Sequence, residues 1–271
     1  MKLQLMPLQL RQRQRQVANK ASLEKYFLFL LQVVAHLSIV PMILYGTWYY
    51  WVLALVVYFF TGCFGMTMTF HRLLSHRSWE PPKWFYYFGT LCGAYGLTGS
   101  PLAWVAVHRE HHRHADTEKD PHSPHNGFIQ AQWLSMFHPV NPKYAVDMAR
   151  DPFQLFVHQH YYRIHLSILI GLLLINPMLA VAGYLFPAAL LWNMGSGVNT
   201  FGHLMGYRTY ETRDDSRNNP FFGYLLWGEG WHNNHHAKPM DRHFRHKWWE
   251  LDVGGLFISL LETKKPDEES Y

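Results

Sequence analysis

Cysteine is nearly absent from the 271 residues: Cys63 and Cys92 are the only two, in no CxxC or haem-attachment spacing. That excludes a disulfide framework, iron–sulfur clusters and c-type haem. Neither a GxGxxG nucleotide loop nor an HPGG haem-binding run occurs, so the chain brings no recognisable electron-carrying cofactor of its own. Charge is scarce as well. Asp, Glu, Lys and Arg make up 16% of the chain against 17% aromatic residues, a balance that leans toward a membrane protein. The scarcity is local: Tyr26 to Phe70 and Ile164 to Gly202 contain none of the four charged types. A mean hydropathy of −0.15 hides this, because apolar stretches alternate with polar, histidine-rich ones.

A helix crosses a bilayer with roughly 20 apolar residues, so each uncharged stretch holds two crossings. The first stretch turns near Gly46-Thr47 and the second near Asn176-Pro177, where proline interrupts the run. The expected architecture is all-α and integral to the membrane. Four transmembrane helices form two hairpins, at about 26–70 and 164–202, and residues 71–163 and 203–265 form a helical cap. A basic tail, 1–25, precedes them, and the length suits one domain over 1–271. Of the 24 Lys and Arg residues, six precede Tyr26, nine lie between His71 and Arg163, nine follow His203, and none occupies an outer turn. The positive-inside rule then puts both termini and the cap in the cytoplasm. The net charge of +5 faces anionic lipid or an acidic redox partner. Arg11, Arg13 and Arg15 read as a tail that is solvated or on lipid headgroups, with no nucleic acid implied, and Asp267-Glu268-Glu269 as a frayed end.

Nineteen histidines are present, and their spacing matters more than their number. The second crossing ends at His71 and His76, an HxxxxH pair. His108, His111 and His112, and later His232, His235 and His236, form two HxxHH triplets. Helix positions three and four apart share a face, so each triplet turns its imidazoles one way, the adjacent pair splayed by about 100°. One triplet can therefore serve two metals. The HxxxxH pair does not share an α-helical face, so His76 is expected beyond the helix end or after a local break. Asn199 and His203, four apart, sit where the fourth crossing emerges on the same side. Imidazole suits iron, copper, zinc and nickel, whereas calcium and magnesium take oxygen. Structural zinc would be closed and four-coordinate, usually with cysteine, and nine histidines fit two redox irons better. A metal transporter would place its ligands mid-membrane along a pathway, and these cluster at the ends of crossings.

The three boxes resemble those of the membrane fatty acyl desaturases, the family of animal stearoyl-CoA desaturases and of cyanobacterial and bacterial acyl-lipid desaturases. The likeness runs from the first hairpin to about Trp249. HREHHRHADTEKDPH at 108–122 and GEGWHNNHH at 228–236 look like its bacterial and plant-type Δ9 branch. The resemblance implies an O2-dependent oxidoreductase that introduces a cis double bond, at Δ9, into a saturated acyl chain. It implies two Fe ions (Fe2+/Fe3+) with O2 as co-substrate. One iron would take His71, His76, His108, His112 and His236. The other would take His111, His203, His232 and His235, with Asn199 reaching it through water. Where the animal enzymes carry an acidic residue just before the second box, this chain has Val107. Electrons would come from an external donor, a ferredoxin or a b-type cytochrome. The acyl carrier (membrane lipid, acyl-CoA or carrier protein) stays open, and a membrane hydroxylase with similar boxes is the nearest alternative.

Ligating imidazoles need carboxylates to accept their second N–H, and Asp116, Asp120 and Glu229 are candidates by adjacency. His114, His122 and His125 read as neighbouring loop residues, His36 as a packed polar group, and His158, His160 and His165 as headgroup-level anchors. Leu55, Phe59, Cys63 and Thr67 step at i+4 toward His71. They are expected to line the acyl tunnel, so that widening Phe59 to Ala lengthens the accepted chain.

Overall fold

The computed structural model describes residues 25–263; the basic tail before Lys25 and the acidic run at 267–269 lie outside the described residues. Helices carry the fold: α1 (Lys25–Tyr45), α2 (Trp48–Ser75), α3 (Lys83–Tyr95), α4 (Pro101–His114), α5 (Pro152–Ile175), α6 (Pro177–Phe201), α7 (Pro220–Leu225), α8 (His232–Ala237) and α9 (Val253–Leu261). Among the described residues there is no strand, only bridges joining Tyr207 to Asn218 and Asn218 to Trp231.

Three helices, α1, α2 and α6, are long and apolar enough to cross a membrane. α5, expected as a fourth, falls short of that combined length and apolarity. It has 24 residues, but its first half, through HQHYYR, is polar, and the Asn176-Pro177 turn cuts the apolar run short. The two turns lie side by side. Asn176 Nδ2 donates to Tyr50 Oη at 3.4 Å, and Met42, Ala54 and Ala182 form one buried cluster there. At the opposite end Lys25 Nζ donates to the carbonyls of Phe137 and His138.

Halfway along, α2 changes its winding. Trp48–Phe59 is α-helical, whereas Phe60–Ser75 is a 16-residue π-helix, bonded i to i+5. His76 N donates to His71 O at 3.2 Å, and Thr69 and Ser75 hydroxyls reach the carbonyls of Phe64 and Phe70. Such windings are rare and concentrate at functional sites. The π-wound stretch packs closely on α3. A Cβ on Gly65 would lie 2.4 Å from Gly93 N, and Thr69 Oγ1 fills the space beside Gly89.

The last turn of α2 is anchored by Arg72, which is fully buried. Its Nη1 and Nη2 donate to both carboxylate oxygens of Asp252 at 3.0 and 2.9 Å, and Nη1 also donates to Arg242 O. Gly228 has a positive φ of 110° beside this pair, and a Cβ there would lie 2.3 Å from Asp252 Oδ1. Arg109, inside the second histidine box, donates to Leu74 O and Ser75 O and pairs with Asp147. It thereby satisfies carbonyls that the end of α2 leaves open.

Candidate metal centre

Each histidine is delivered by the end of an element. His71 closes α2 and His76 caps it; the i, i+5 winding brings their ring centroids to 5.0 Å. His76 thus lies just past the helix end, as its spacing predicts, and the local break is the π-winding itself. His108, His111 and His112 occupy the last two turns of α4, His203 follows α6, and α8 carries the third box. Three helices therefore point their C-terminal ends, partially negative, at one place.

The imidazoles form two groups. His71, His76, His108, His112 and His235 make one, and His111, His203, His232 and His236 the other, with the possible ligand nitrogens of each within 4.8 Å of one another. This corrects the expected partition, which had His235 and His236 exchanged. Helical geometry gives the reason: positions i and i+4 lie closer in angle than i and i+3. His108 stays with His112, His232 with His236, and the i+3 member of each triplet crosses to the other group. The two boxes thus interlock.

Nε2 atoms face one another at 3.0 Å between His71 and His235, 2.8 Å between His76 and His108, and 2.9 Å between His112 and His235. In the second group the spacings are 3.0 Å for His203 and His232 and 3.3 Å for His111 and His236. Behind the rings stand carboxylates, which can only accept. His71 Nδ1 donates to Glu229 at 2.5 Å, His111 Nδ1 to Asp120 at 2.9 Å, His203 Nδ1 to Asp116 at 2.7 Å and His236 Nδ1 to Asp214 at 2.9 Å.

Those hydrogen bonds decide the tautomers. With Nδ1–H committed, neutral His111 and His236 turn bare lone pairs at each other and neither can donate. Burial pushes His76, His108, His111, His112, His232 and His235 well below the ordinary imidazole range, and repulsion among the rings adds to it. Burial also lowers His236, although Asp214 opposes this. Converging lone pairs that cannot share protons fit a cation between them. The spacings match neighbouring ligands on one ion, about 3 Å apart for metal–nitrogen bonds of about 2.1 Å.

Asp116, Asp120 and Glu229 stand where the adjacency argument expects carboxylates. Asp116 sits in the left-handed region at φ 61°, just past α4, a conformation that Asp tolerates better than most residues. Asp214 escapes adjacency because it lies in the loop between His203 and α7, some twenty residues from the third box. Its carboxyl is held well below the usual range: burial opposes ionisation, but hydrogen bonds from His236, Ser216 and Thr212 outweigh it. The interior asparagines of HNNHH are structural. Asn233 Oδ1 accepts from Thr209 N and Tyr210 N, and Asn234 Nδ2 donates to buried Glu250.

His114, His122 and His125 stand outside both groups. His122 is buried with its ring 4.2 Å from that of His111, His114 bonds Tyr144, and His125 pairs with Asp215. His36 is packed between Gln32 O and Asn193 Nδ2. His165 departs from the expected headgroup position: it is buried and bonded to Tyr184 Oη at 2.5 Å. His158 Nδ1 lies 2.6 Å from Ser100 Oγ, and the ring of His160 packs against Phe156.

A cavity of about 890 Å³ reaches the centre, with His71, His108, His232, Glu229 and Asn199 in its wall. On α2 its lining is Gly62, Met66, Thr67 and His71, so the expected stripe is corrected. Only Thr67 of the four lies there. Leu55 is 59% exposed on the outer surface, Cys63 is fully buried in a core cluster, and Phe59 packs on Phe64, Trp227 and Phe257. The π-winding explains it, because an i+4 stripe rotates off the face where each turn takes more residues. Val107 also lines this cavity.

The fatty acid desaturase family model matches residues 46–252. An sn-1 stearoyl-lipid 9-desaturase of Anabaena variabilis is 39% identical over 217 residues, 77% of this chain and 79% of the relative. An sn-2 palmitoyl-lipid 9-desaturase of Nostoc sp. (strain 36) is 37% identical over 212 residues, 74% of each chain. The Synechocystis sn-1 stearoyl-lipid 9-desaturase is 33% identical over 251 residues, 89% of this chain and 78% of the relative. With most of its length matched, and its three histidine boxes within or spanned by that match, the chain belongs to the fatty acid desaturase family and is an oxidoreductase of lipid metabolism.

Proposed function

We propose that the chain is an O2-dependent acyl-lipid desaturase that places a cis double bond at Δ9. The observation that carries this reading is the pair of interlocked imidazole groups at the end of a cavity sized for a hydrocarbon chain. The relatives whose names specify stearoyl-lipid and palmitoyl-lipid 9-desaturation support the substrate and the bond position. The membrane is crossed four times as two hairpins, with the apolar second half of α5 as the third crossing. The termini and the histidine-bearing cap are cytoplasmic, as the distribution of Lys and Arg favours.

His71, His76, His108, His112 and His235 would hold one iron, and His111, His203, His232 and His236 the other, with Asn199 acting through water. Bound iron supplies the O2-derived oxidising power that unactivated methylenes require and no side chain has. Everything else falls to the protein. Burial keeps the imidazoles neutral and their lone pairs free, and the four carboxylates hold His71, His111, His203 and His236 in one tautomer and orientation. Trp104, stacked on His108 at 13° between planes, gives the cavity a rigid apolar wall beside the centre. The cavity excludes water and fixes one carbon pair by geometry. Two hydrogens leave the acyl chain, and with two electrons and two protons they convert O2 to two waters. The electrons come from an external donor, a ferredoxin or a b-type cytochrome.

The test is expression in a host that makes no unsaturated fatty acids, followed by chromatography that locates new double bonds. Δ9-unsaturated lipid is the expected product. Hydroxylated lipid alone would change the reaction assigned, and no lipid product from iron-loaded protein supplied with O2 and reductant would remove the reading.

A further inference from the structure

Glycines on the long helices fall into two kinds. At most of them a neighbour fills the missing side chain's space. A Cβ would lie 2.1 Å from Trp227 at Gly62, 2.5 Å from Phe70 at Gly93 and 2.6 Å from Phe222 at Gly197. Gly195 is different: a Cβ there would meet nothing within 4 Å, and the residue lines the large cavity. Glycine inside a helix is unfavourable relative to alanine, and no close contact requires it at this point of α6. What the missing side chain preserves is open volume.

That volume has a definite place. Asn199 lies one turn from Gly195 in the direction of His203, and Leu191 one turn in the other direction, all three within α6 and on the cavity wall. Moving away from the imidazoles, the wall becomes apolar at Gly195 and Leu191. Lys25 on α1 and Gln159 on α5 also line the cavity, with Lys25 Nζ donating to the carbonyls of Phe137 and His138. We infer that Gly195 determines chain length: its missing side chain keeps open the part of the cavity that takes the methyl-terminal hydrocarbon beyond the reacting carbons. The inference rests on the desaturase reading above.

The experiment compares Gly195→Ala and Gly195→Leu with wild type in a host supplied with C14, C16 and C18 saturated acids. Gly171→Leu serves as the control, on α5, where a Cβ also meets nothing within 4 Å but faces no part of this cavity. With Gly195→Leu the C18-to-C16 product ratio falls about tenfold or more, the discrimination expected of a few methylenes in a pocket. Gly195→Ala falls between, and the control keeps the wild-type ratio. Acyl chains extracted from the purified proteins shorten in the same order, a readout independent of turnover. An unchanged ratio in an active Gly195→Leu overturns the inference. If that variant does not fold, Gly195→Ala decides, and unchanged products and unchanged bound chains overturn it equally. Wild type that yields no unsaturated product removes the desaturase reading instead, while the bound chains still decide the role of Gly195.

Discussion

The two imidazole groups offer similar nitrogens and dissimilar surroundings. Behind the five-membered group stands one hydrogen-bonded carboxylate, Glu229, and it lies 3.6 Å from the buried guanidinium of Arg72. Behind the four-membered group stand three, Asp116, Asp120 and Asp214, and among the described residues none of them pairs with Lys or Arg. A carboxylate on Nδ1 fixes the ring and raises its basicity, so the smaller group compensates for its missing imidazole with negative charge. One position is defined mainly by the number of donors, the other by their orientation and field.

The largest test removes ligands. His235→Ala takes one imidazole from the five-membered group and His236→Ala one from the other. Each is expected to cost more than the roughly 100-fold that outer partners cost, with iron content falling from two per chain toward one. Two irons and wild-type turnover in either variant would break the partition. Next come the carboxylates. Asp116→Asn, Asp120→Asn and Asp214→Asn are each expected to weaken metal binding about 10–100-fold, and Glu229→Gln to lie at the low end, near tenfold. Competition with a chelator measures this, and equal losses across all four would remove the asymmetry.

How much of this is legible in the residues depends on whether the information is local. Intervals of three and four mark His108, His111 and His112 and His232, His235 and His236 as faces of helices, and the structure gathers them. Adjacency finds Asp116, Asp120 and Glu229 for the same reason. Asp214 is brought in only by the fold of the loop that follows His203. The interchange of His235 and His236 follows from the smaller angle between i and i+4 than between i and i+3 within each helix, a finer distinction than the shared face that the spacing marks. The winding of Phe60–Ser75 packs against glycines on a different helix, Gly89 and Gly93, which its own residues do not announce. The second half of α5 lacks charge but is too short to stand out once the Asn176-Pro177 turn is counted.

A smaller effect is expected with pH in the metal-free protein. The folded state holds six imidazoles well below their ordinary pKa, by burial first and mutual repulsion second. The unfolded chain binds protons near pH 6.5, so the folded state is fully favoured above that value and loses stability as pH falls below it. The slope is about 1.4 kcal/mol per pH unit for each proton that only the unfolded chain takes up. Four of these six rings belong to the five-membered group, so its side of the centre should lose protection from hydrogen exchange first on acidification. Thermal denaturation at pH 7.5 and pH 5.5 measures the whole effect, and identical melting temperatures would mean that the rings are not held neutral.

The smallest expected effect on the product separates the cavity from the core beside it. Phe59 looks from its spacing like a tunnel residue, yet it touches Phe64, Trp227 and Phe257 and lies off the cavity wall. Phe59→Ala should therefore cost about 1–3 kcal/mol of stability through lost packing and leave product chain length unchanged. Longer products from this variant would mean that the hydrocarbon runs along the α-helical half of α2. The π-wound half, where Gly62, Met66 and Thr67 face the cavity, would then have to give up its place as the wall.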